Sequence, residues 1–184
     1  MSKFIQFLNL AFLAIFISSC NNNAETRKPI SKSKESVIQS SAMRNMDIVK
    51  SEEELISKYI ETDKTNTYIN SKNGFWYTYE ERKIHDSIRP TEGNTVMYTY
   101  QISTLQDSLL YSKSDVGVLS YVVDKEDILP ILRHAIKLMK NNESIKLLTP
   151  SSLAFSYLGD KNKINKNQPL IITLDLKSIE KITN

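Results

Sequence analysis

Apolar and polar residues alternate along much of the C-terminal half of the chain, which is the pattern of half-buried β-strands. In residues 95–102 every second side chain is large and apolar, and residues 169–178 repeat the same period. Shorter β-prone segments lie at residues 74–79, 109–112, 118–123 and 143–149. The pattern therefore predicts a sheet of many short strands.

Two segments carry apolar residues at the three- and four-residue spacing of a helix instead. One helix is predicted to open within Asp127–Pro130, with Asp127 near its cap and Pro130 in its first turn. Its expected buried face consists of Ile131, Leu132, Ala135, Ile136 and Met139. The other helix is predicted to start at Ser51, because Ser51 and Glu54 form a capping-box pattern ahead of an apolar face. Many strands and one central helix predict an α+β domain with an antiparallel sheet.

The N-terminal segment combines one positive charge, Lys3, with a short apolar stretch from Phe4 to Ile17. It ends in Ile-Ser-Ser-Cys20, the pattern of a bacterial lipoprotein signal, in which the Cys20 thiol receives a lipid and cleavage leaves it as the first residue. We therefore expect lipidation of Cys20, anchoring to the inner or outer membrane of the cell envelope, and a domain that faces the periplasm. An ordinary signal peptide or an uncleaved anchor helix are the alternatives.

Composition divides the chain into four parts. Residues 1–19 are predicted to be the signal peptide, and residues 20–46, rich in Asn, Ser, Lys and Gln, are predicted to be a flexible tether. Residues 47–89 contain the N-terminal helix and a strand extension. Residues 90–184 hold the remaining strands and the central helix, and form the predicted globular domain.

The net charge and the cysteine count limit the partners and the cofactors that can be expected. The formal net charge is +3, which becomes +2 once Lys3 is removed with the signal peptide, so nucleic acid is not an expected partner. The single cysteine excludes an internal disulfide and a thiolate cluster. His85 and His134 are far apart and show no ligand spacing, so we expect neither a metal nor another cofactor.

Five segments, in this order, resemble motifs of the FKBP-type peptidyl-prolyl cis-trans isomerases. They are Val96–Thr99 (V-x-Y-T), Asp107–Ser114 (D-G-x-x-F-D-S-S), Ile128–Leu132 with the later Met139 (V-I-P-G-W/L), Thr149–Tyr157 (I-P-x-x-L-A-Y-G) and Pro169–Leu176 (P-L-V-F-x-V-E-L). The resemblance runs from about Pro90 to Ile182, about half the chain. It implies an FKBP-like antiparallel sheet wrapped around one short helix.

The same resemblance implies a substrate pocket that binds a proline ring. Matched residue by residue, the pocket would be lined by Tyr98, Tyr111, Leu119, Ile128, Leu129, Leu132, Phe155 and Ile172. Tyr98 and Tyr111 would be walls with polar tips, Leu132 the floor, and the Leu129 N–H would bind a substrate carbonyl. The alternative is that these residues only form the core.

The chain also departs from the family at several positions. Ser112 stands where the family usually has an aspartate, and Phe155 where a tyrosine hydroxyl often donates to the ligand. Family glycines are replaced by Ser108, Ile131, Asn142 and Ser156. Asn142 tolerates a positive φ, and the helical position of Ile131 does not need one. We expect the fold to tolerate these substitutions, whereas the catalytic activity is the property that they affect.

Two functions follow from the resemblance. The first is a membrane-tethered isomerase that binds proline-containing polypeptides and assists the folding of exported proteins. The second is a catalytically weak FKBP-like chaperone, or a binding module of a motility or secretion apparatus. The lipoprotein signal, the polar tether and the Gly-Phe-Trp-Tyr segment at residues 74–77 together resemble a narrower group, the gliding-motility-associated isomerase lipoproteins of Bacteroidetes-type bacteria.

Overall fold

The structure, a computed structural model, describes residues 34–84 and 88–180. The chain divides into two compact units, Met1–Gln39 and Ser40–Asn184. Of the first unit, only the residues that begin helix α1 (Lys34–Thr62) are described. The predicted signal peptide, with its lipidation site at Cys20, lies outside the described residues.

The second unit is built on one antiparallel sheet. Its strands are β1 (Ile69–Asn70), β2 (Trp76–Glu81), β3 (Thr95–Thr104), β4 (Leu109–Tyr111), β5 (Leu119–Val122), β6 (Glu143–Thr149) and β7 (Leu170–Glu180). Their order in the sheet is β1-β2-β6-β7-β3-β4, and β5 pairs with β3. Each strand predicted from the alternation is confirmed within two residues at each end, and β1 and β2 extend the sheet beyond the predicted domain boundary at residue 90.

Strand β3 organises the region in which the predicted pocket residues lie. Along one edge it pairs with β7 over its whole length. Along the other edge it pairs first with β5, from Thr95 to Tyr98, and then with β4, from Ile102 to Ser103. The short helix α2 (Lys113–Val116) follows β4. Residues from β3, β4, β5 and β7 are therefore brought side by side.

Helix α3 (Pro130–Ile136) packs its predicted apolar face into the core. Ile131, Leu132, Ala135, Ile136 and the following Met139 are each at most 2 % exposed, as expected from their spacing. The N-cap is Leu129, two residues after Asp127, and no side chain caps the helix. Asp127 accepts a hydrogen bond from Arg133 Nη2 at 2.6 Å. The α+β architecture, an FKBP-like sheet with one helix packed against it, is confirmed.

Helix α1 begins at Lys34, not at Ser51, so the predicted start was wrong and the predicted tether is helical from Lys34 on. Ser51 lies inside the helix, where its Oγ donates to the Ile48 carbonyl at 2.8 Å. Neither Gly nor Pro occurs between Lys34 and Thr62, and Lys, Glu and Gln have good helix propensity, so no local signal stops the helix at residue 51. Among the described residues, no helix is long and apolar enough to cross a membrane.

Candidate functional site

All eight residues of the predicted pocket belong to one apolar cluster. Three of them are buried: Tyr98 on β3 is 3 % exposed, Leu132 on α3 is 2 % exposed and Ile172 on β7 is 0 % exposed. We call these three residues the floor. Tyr98 and Ile172 lie on paired strands, and Leu132 comes from the helix packed against them, so the floor joins three elements.

The other five residues are partly exposed and form what we call the rim. Leu119 lies opposite Tyr98 in the β3–β5 register, and Tyr111 lies opposite Ile102 in the β3–β4 register. The remaining rim residues are Ile128, Leu129 and Phe155, from the turn before α3 and the loop after β6. The fold thus brings together residues from six separate segments: β3, β4, β5, residues 128–132, the loop after β6, and β7. The partly exposed rim residues pack against the buried floor.

A free backbone donor lies at this rim, at Leu129. Pro130 disfavours a helical conformation for the preceding residue, and Leu129 accordingly has φ −49° and ψ 131°. Its carbonyl accepts from the N–H groups of Leu132 and Arg133, while its own N–H donates to none of the described residues. This N–H is the group that the resemblance assigns to a substrate carbonyl, and it remains available.

The two tyrosines of the predicted pocket differ in how their hydroxyl groups are used. The Tyr98 hydroxyl donates to none of the described residues, and its ring stacks on Tyr100 with the centroids 6.3 Å apart. Burial, with smaller contributions from Tyr100, Tyr121 and Glu126, raises the pKa of Tyr98 to about 12. The hydroxyl therefore stays protonated at neutral pH and can donate to a ligand.

The Tyr111 hydroxyl is engaged within the protein. It donates to Asp160, and it accepts from Asn162 Nδ2 at 3.2 Å. Lys163 Nζ lies 4.7 Å from the centre of the Tyr111 ring and donates to the Leu110 carbonyl at 2.8 Å. The hydrogen bond to Asp160 raises the pKa of Tyr111. These contacts hold β4 to the loop between β6 and β7, which we call the pocket loop (residues 150–169).

Asp160 is the centre of that attachment. Besides Tyr111, its carboxylate accepts from the backbone N–H groups of Asn162 and Ile164, both at 2.8 Å. Desolvation acts to raise the pKa of Asp160, but the hydrogen bonds from Tyr111 and the backbone outweigh it and lower that pKa. At neutral pH the loop is therefore organised around a charged carboxylate.

The backbone of the pocket loop is tightly closed around this carboxylate. Gly159 has φ +64°, and a Cβ there would lie 2.2 Å from the Ile164 carbonyl oxygen, so only glycine fits. Its N–H donates to the Phe155 carbonyl at 3.1 Å, and the Asn167 N–H donates to the Ser156 carbonyl at 3.1 Å. Phe155 is thus held at the rim by bonds within the loop.

The family glycines that this chain lacks are accommodated as expected at two positions. Asn142 has φ +57°, which an asparagine adopts at small cost, and Ile131 lies in helix α3 without a positive φ. Ser156 does adopt a positive φ, +56°, which costs a serine more than a glycine. In the β3–β4 turn the positive φ falls on Asp107 rather than on Ser108.

Ser112, which replaces the usual family aspartate, has a structural task. Its Oγ accepts from the Asp115 N–H, and Asp115 in turn accepts from the Ser112 N–H, which together form a capping box on α2. The Ser112 side chain therefore caps helix α2, and it supplies no negative charge to the cluster. The carboxylate that contacts the rim is Asp160, from a different segment of the chain.

Sequence reasoning missed two residues of the site, Asp160 and Ile164. Ile164 is 3 % exposed and belongs to the same apolar cluster as the eight predicted residues. It is the single aliphatic residue in the polar stretch 160–168, a signal that could have identified it. Asp160 carries no comparable signal, because acidic residues in polar loops are common.

A separate cavity has a polar lining, which does not suit a proline ring. A cavity of about 390 Å³ is lined by polar groups, among them Lys113, Glu143, Ser144 and Asp175. Asp175 accepts from Lys113 Nζ at 2.9 Å and from Ser144 Oγ at 2.8 Å. This lining offers little apolar surface to a proline ring. Within residues 34–84 and 88–180, no three His, Asp or Glu side chains are grouped so as to hold a metal ion.

Comparison with known proteins agrees with this geometry. Residues 86–177 match the FKBP-type peptidyl-prolyl cis-trans isomerase family, which covers half of the chain. The chain therefore belongs to this family, and its class of enzyme is that of the FKBP-type peptidyl-prolyl cis-trans isomerases. A comparison with curated protein sequences finds no significant match.

Solved structures support the fold. A peptidyl-prolyl cis-trans isomerase of Pseudomonas syringae is 15% identical with a TM-score of 0.58, over 74% of this chain and 96% of that one. FkpA from Escherichia coli is 21% identical with a TM-score of 0.58, over 95% of this chain and 81% of that one. The three FKBP domains of wheat FKBP73 are 18% identical with a TM-score of 0.52, over 61% of this chain and 48% of that one.

Proposed function

We propose that this isomerase is tethered to a membrane through Cys20 and assists the folding of exported proteins. Its substrates are proline-containing polypeptides, and its active site is the cluster of floor and rim residues. The observation that carries the assignment of the active site is the convergence of eight residues from six segments in one apolar cluster, next to the free Leu129 N–H and the Tyr98 hydroxyl.

The chemistry needs no acid, base or nucleophile. Rotation about an X–Pro bond crosses a barrier of about 20 kcal/mol, because the amide loses its resonance when it twists. An apolar site favours the less polar twisted amide over the planar one. In our proposal the floor receives the proline ring, while the Leu129 N–H and the Tyr98 hydroxyl hold carbonyl groups of the substrate chain.

The test is the rate of cis–trans exchange of an X–Pro peptide with the full-length protein in detergent, measured by NMR. We expect exchange well above the uncatalysed rate. Tyr98→Phe should lower kcat/KM by about two- to tenfold, the worth of one net hydrogen bond. Tyr157→Phe is the matched control, since Tyr157 is 66% exposed and outside the cluster. An uncatalysed rate with wild-type protein refutes the isomerase.

A second candidate function is a catalytically weak chaperone or a binding module of a motility or secretion apparatus. Two observations favour it: Phe155 offers no hydroxyl, and the Ser112 side chain is used in a helix cap. Suppression of aggregation of an unfolded protein, without faster prolyl exchange, would support this candidate. The order lipoprotein signal, tether and FKBP-like domain supports gliding motility as the process served, and slower colony spreading after gene deletion would test it.

Tethering is tested by Cys20→Ser. Because Cys20 is the sole cysteine and the preceding apolar stretch is short, the variant should leave the membrane fraction or remain unprocessed. Labelled palmitate should enter the wild type and not the variant. Equal incorporation into both proteins would contradict anchoring at Cys20. Fractionation of the wild type distinguishes the inner from the outer membrane.

A further inference from the structure

Helix α1 carries one buried carboxylate, although the residues next to it in the sequence are exposed. Glu52 is 3 % exposed, whereas Ser51, Glu53, Glu54 and Leu55 are exposed. Burying a carboxylate is unfavourable unless hydrogen-bond donors replace its lost water. A glutamate in this position is therefore expected to serve a particular partner.

The partner is Ser151, which lies 99 residues away at the start of the pocket loop. The Ser151 N–H donates to Glu52 Oε2 at 2.7 Å, and the Ser151 Oγ donates to Glu52 Oε1 at 2.6 Å. Each carboxylate oxygen thus receives one donor from the same residue, and Ser151 is itself 4 % exposed. Charge-assisted bonds of this length are the strong kind.

Apolar packing holds this part of the helix in place. Ile56, one helical turn after Glu52, is 0 % exposed and packs with Leu148 on β6 and Ile171 on β7. Residues four apart lie on the same face of a helix, so one face presents both the apolar anchor and the carboxylate. The packing of Ile56 therefore holds the Glu52 carboxylate in place next to Ser151.

Ser151 passes this restraint on to the rim. Its carbonyl accepts from the Ala154 N–H at 2.9 Å and from the Ser156 N–H at 2.7 Å, the two residues on either side of Phe155. Ser156 has φ +56°, a conformation that a serine keeps only where its surroundings enforce it. The position of Phe155 thus depends on a turn whose hydrogen-bond acceptor is the residue held by Glu52.

We infer that Glu52 is a positioning residue for catalysis, through which helix α1 sets the placement of Phe155 at the substrate pocket. The inference rests on the proposed function, because it takes Phe155 as part of the active site. The part of helix α1 around Glu52 is then a part of the catalytic unit. Displacement of helix α1 by a bound partner would lower turnover.

The experiment uses full-length protein in detergent, with Glu52→Gln, Ser151→Ala and the double variant. Glu53→Gln is the matched control, because Glu53 is exposed one position along the same helix. We expect Glu52→Gln to lower kcat/KM for an X–Pro peptide by about tenfold, since it removes a charged acceptor of two bonds. Ser151→Ala, which keeps the backbone bond, should lower it less, and the double variant should be no worse than Glu52→Gln.

Two further readouts separate positioning from mere stabilisation. Rates are measured at a temperature at which each variant is fully folded, and amide exchange is followed at Ser156. Faster exchange at Ser156 together with the lower kcat/KM supports the inference. A reduced melting temperature with wild-type kcat/KM in the folded variants overturns it, as does an effect of Glu53→Gln equal to that of Glu52→Gln. Absence of catalysis in the wild type refutes the proposed function instead.

Discussion

The floor of the predicted pocket and the pocket loop are held by different forces. Tyr98, Leu132 and Ile172 are buried in apolar contacts between β3, α3 and β7. The pocket loop buries Ile164 in the same cluster, but its backbone is also organised by individual hydrogen bonds centred on Asp160 and on Ser151. Apolar packing is shared among many neighbours, whereas we expect the loop to change shape when one acceptor is lost. The fold and the fine shape of the site can therefore be altered separately.

The largest effect is expected at the floor. Leu132→Ala removes three carbon atoms from a site that is 2 % exposed and should cost about 2–5 kcal/mol of unfolding free energy. Isomerase activity should fall as well, because the proline ring loses its support. Leu158→Ala is the control: Leu158 is 51% exposed, and its loss should change stability by at most about 0.5 kcal/mol. Equal effects in urea unfolding would show that the floor is not where the apolar packing is concentrated.

An intermediate effect is expected at the centre of the loop. Asp160→Asn keeps the size of the side chain and removes the charge that accepts from Tyr111 and two backbone N–H groups. We expect a severalfold loss of kcat/KM with little change in the overall fold, since the loop is hydrogen-bonded and α3 is not touched. Tyr111→Phe should give a smaller loss in the same direction. Full activity in Asp160→Asn would mean that the loop keeps its shape without this carboxylate.

The loop should also respond to acid in a defined direction. The folded-state pKa of Asp160 is lowered from the ordinary value of 3.8, so the carboxylate stabilises the loop above that pH. This contribution is lost as the pH falls below 3.8 through the folded-state pKa. The amide shift of Ile164, which donates to Asp160, should titrate in that range in the wild type and not in Asp160→Asn. An identical titration in both proteins would assign it to another group.

The smallest effect on stability is expected at Phe155, where the rim lacks a donor. Phe155→Tyr should improve binding of a prolyl peptide by about two- to tenfold, since a net hydrogen bond is worth roughly 0.5–1.5 kcal/mol. Stability should change little because Phe155 is partly exposed. Phe155→Ala should weaken binding by removing apolar wall. If both variants lose stability and keep the wild-type affinity, Phe155 is a core residue and the site lies elsewhere.

The sequence predicted the floor better than the loop for a physical reason. The helical spacing from Ile131 to Met139 identified the buried side chains of that segment, and the alternation along β3 and β7 identified Tyr98 and Ile172. Strands β6 and β7 are buried on their other face as well, which the alternation did not predict. Asp160 and Glu52 look like ordinary surface carboxylates in the sequence, and only their partners distinguish them. The predicted start of α1 was wrong for a related reason. Ser51 and Glu54 fit a capping box, yet the residues from Lys34 to Ser51 include no Gly or Pro that would interrupt a helix.

The sequence alone predicted six of the seven described strands, helix α3 with its apolar face, and a resemblance to the family. The strands and the helix follow from periodicity, which is a property of neighbouring positions, and the resemblance follows from five motifs. The tertiary structure decided which polar groups meet: Glu52 with Ser151, Tyr111 with Asp160, and Ser112 with its own helix rather than with the site. A hydrogen bond between residues 99 positions apart depends on how the folded chain places their atoms. No pattern of neighbouring residues in the sequence contains that distance.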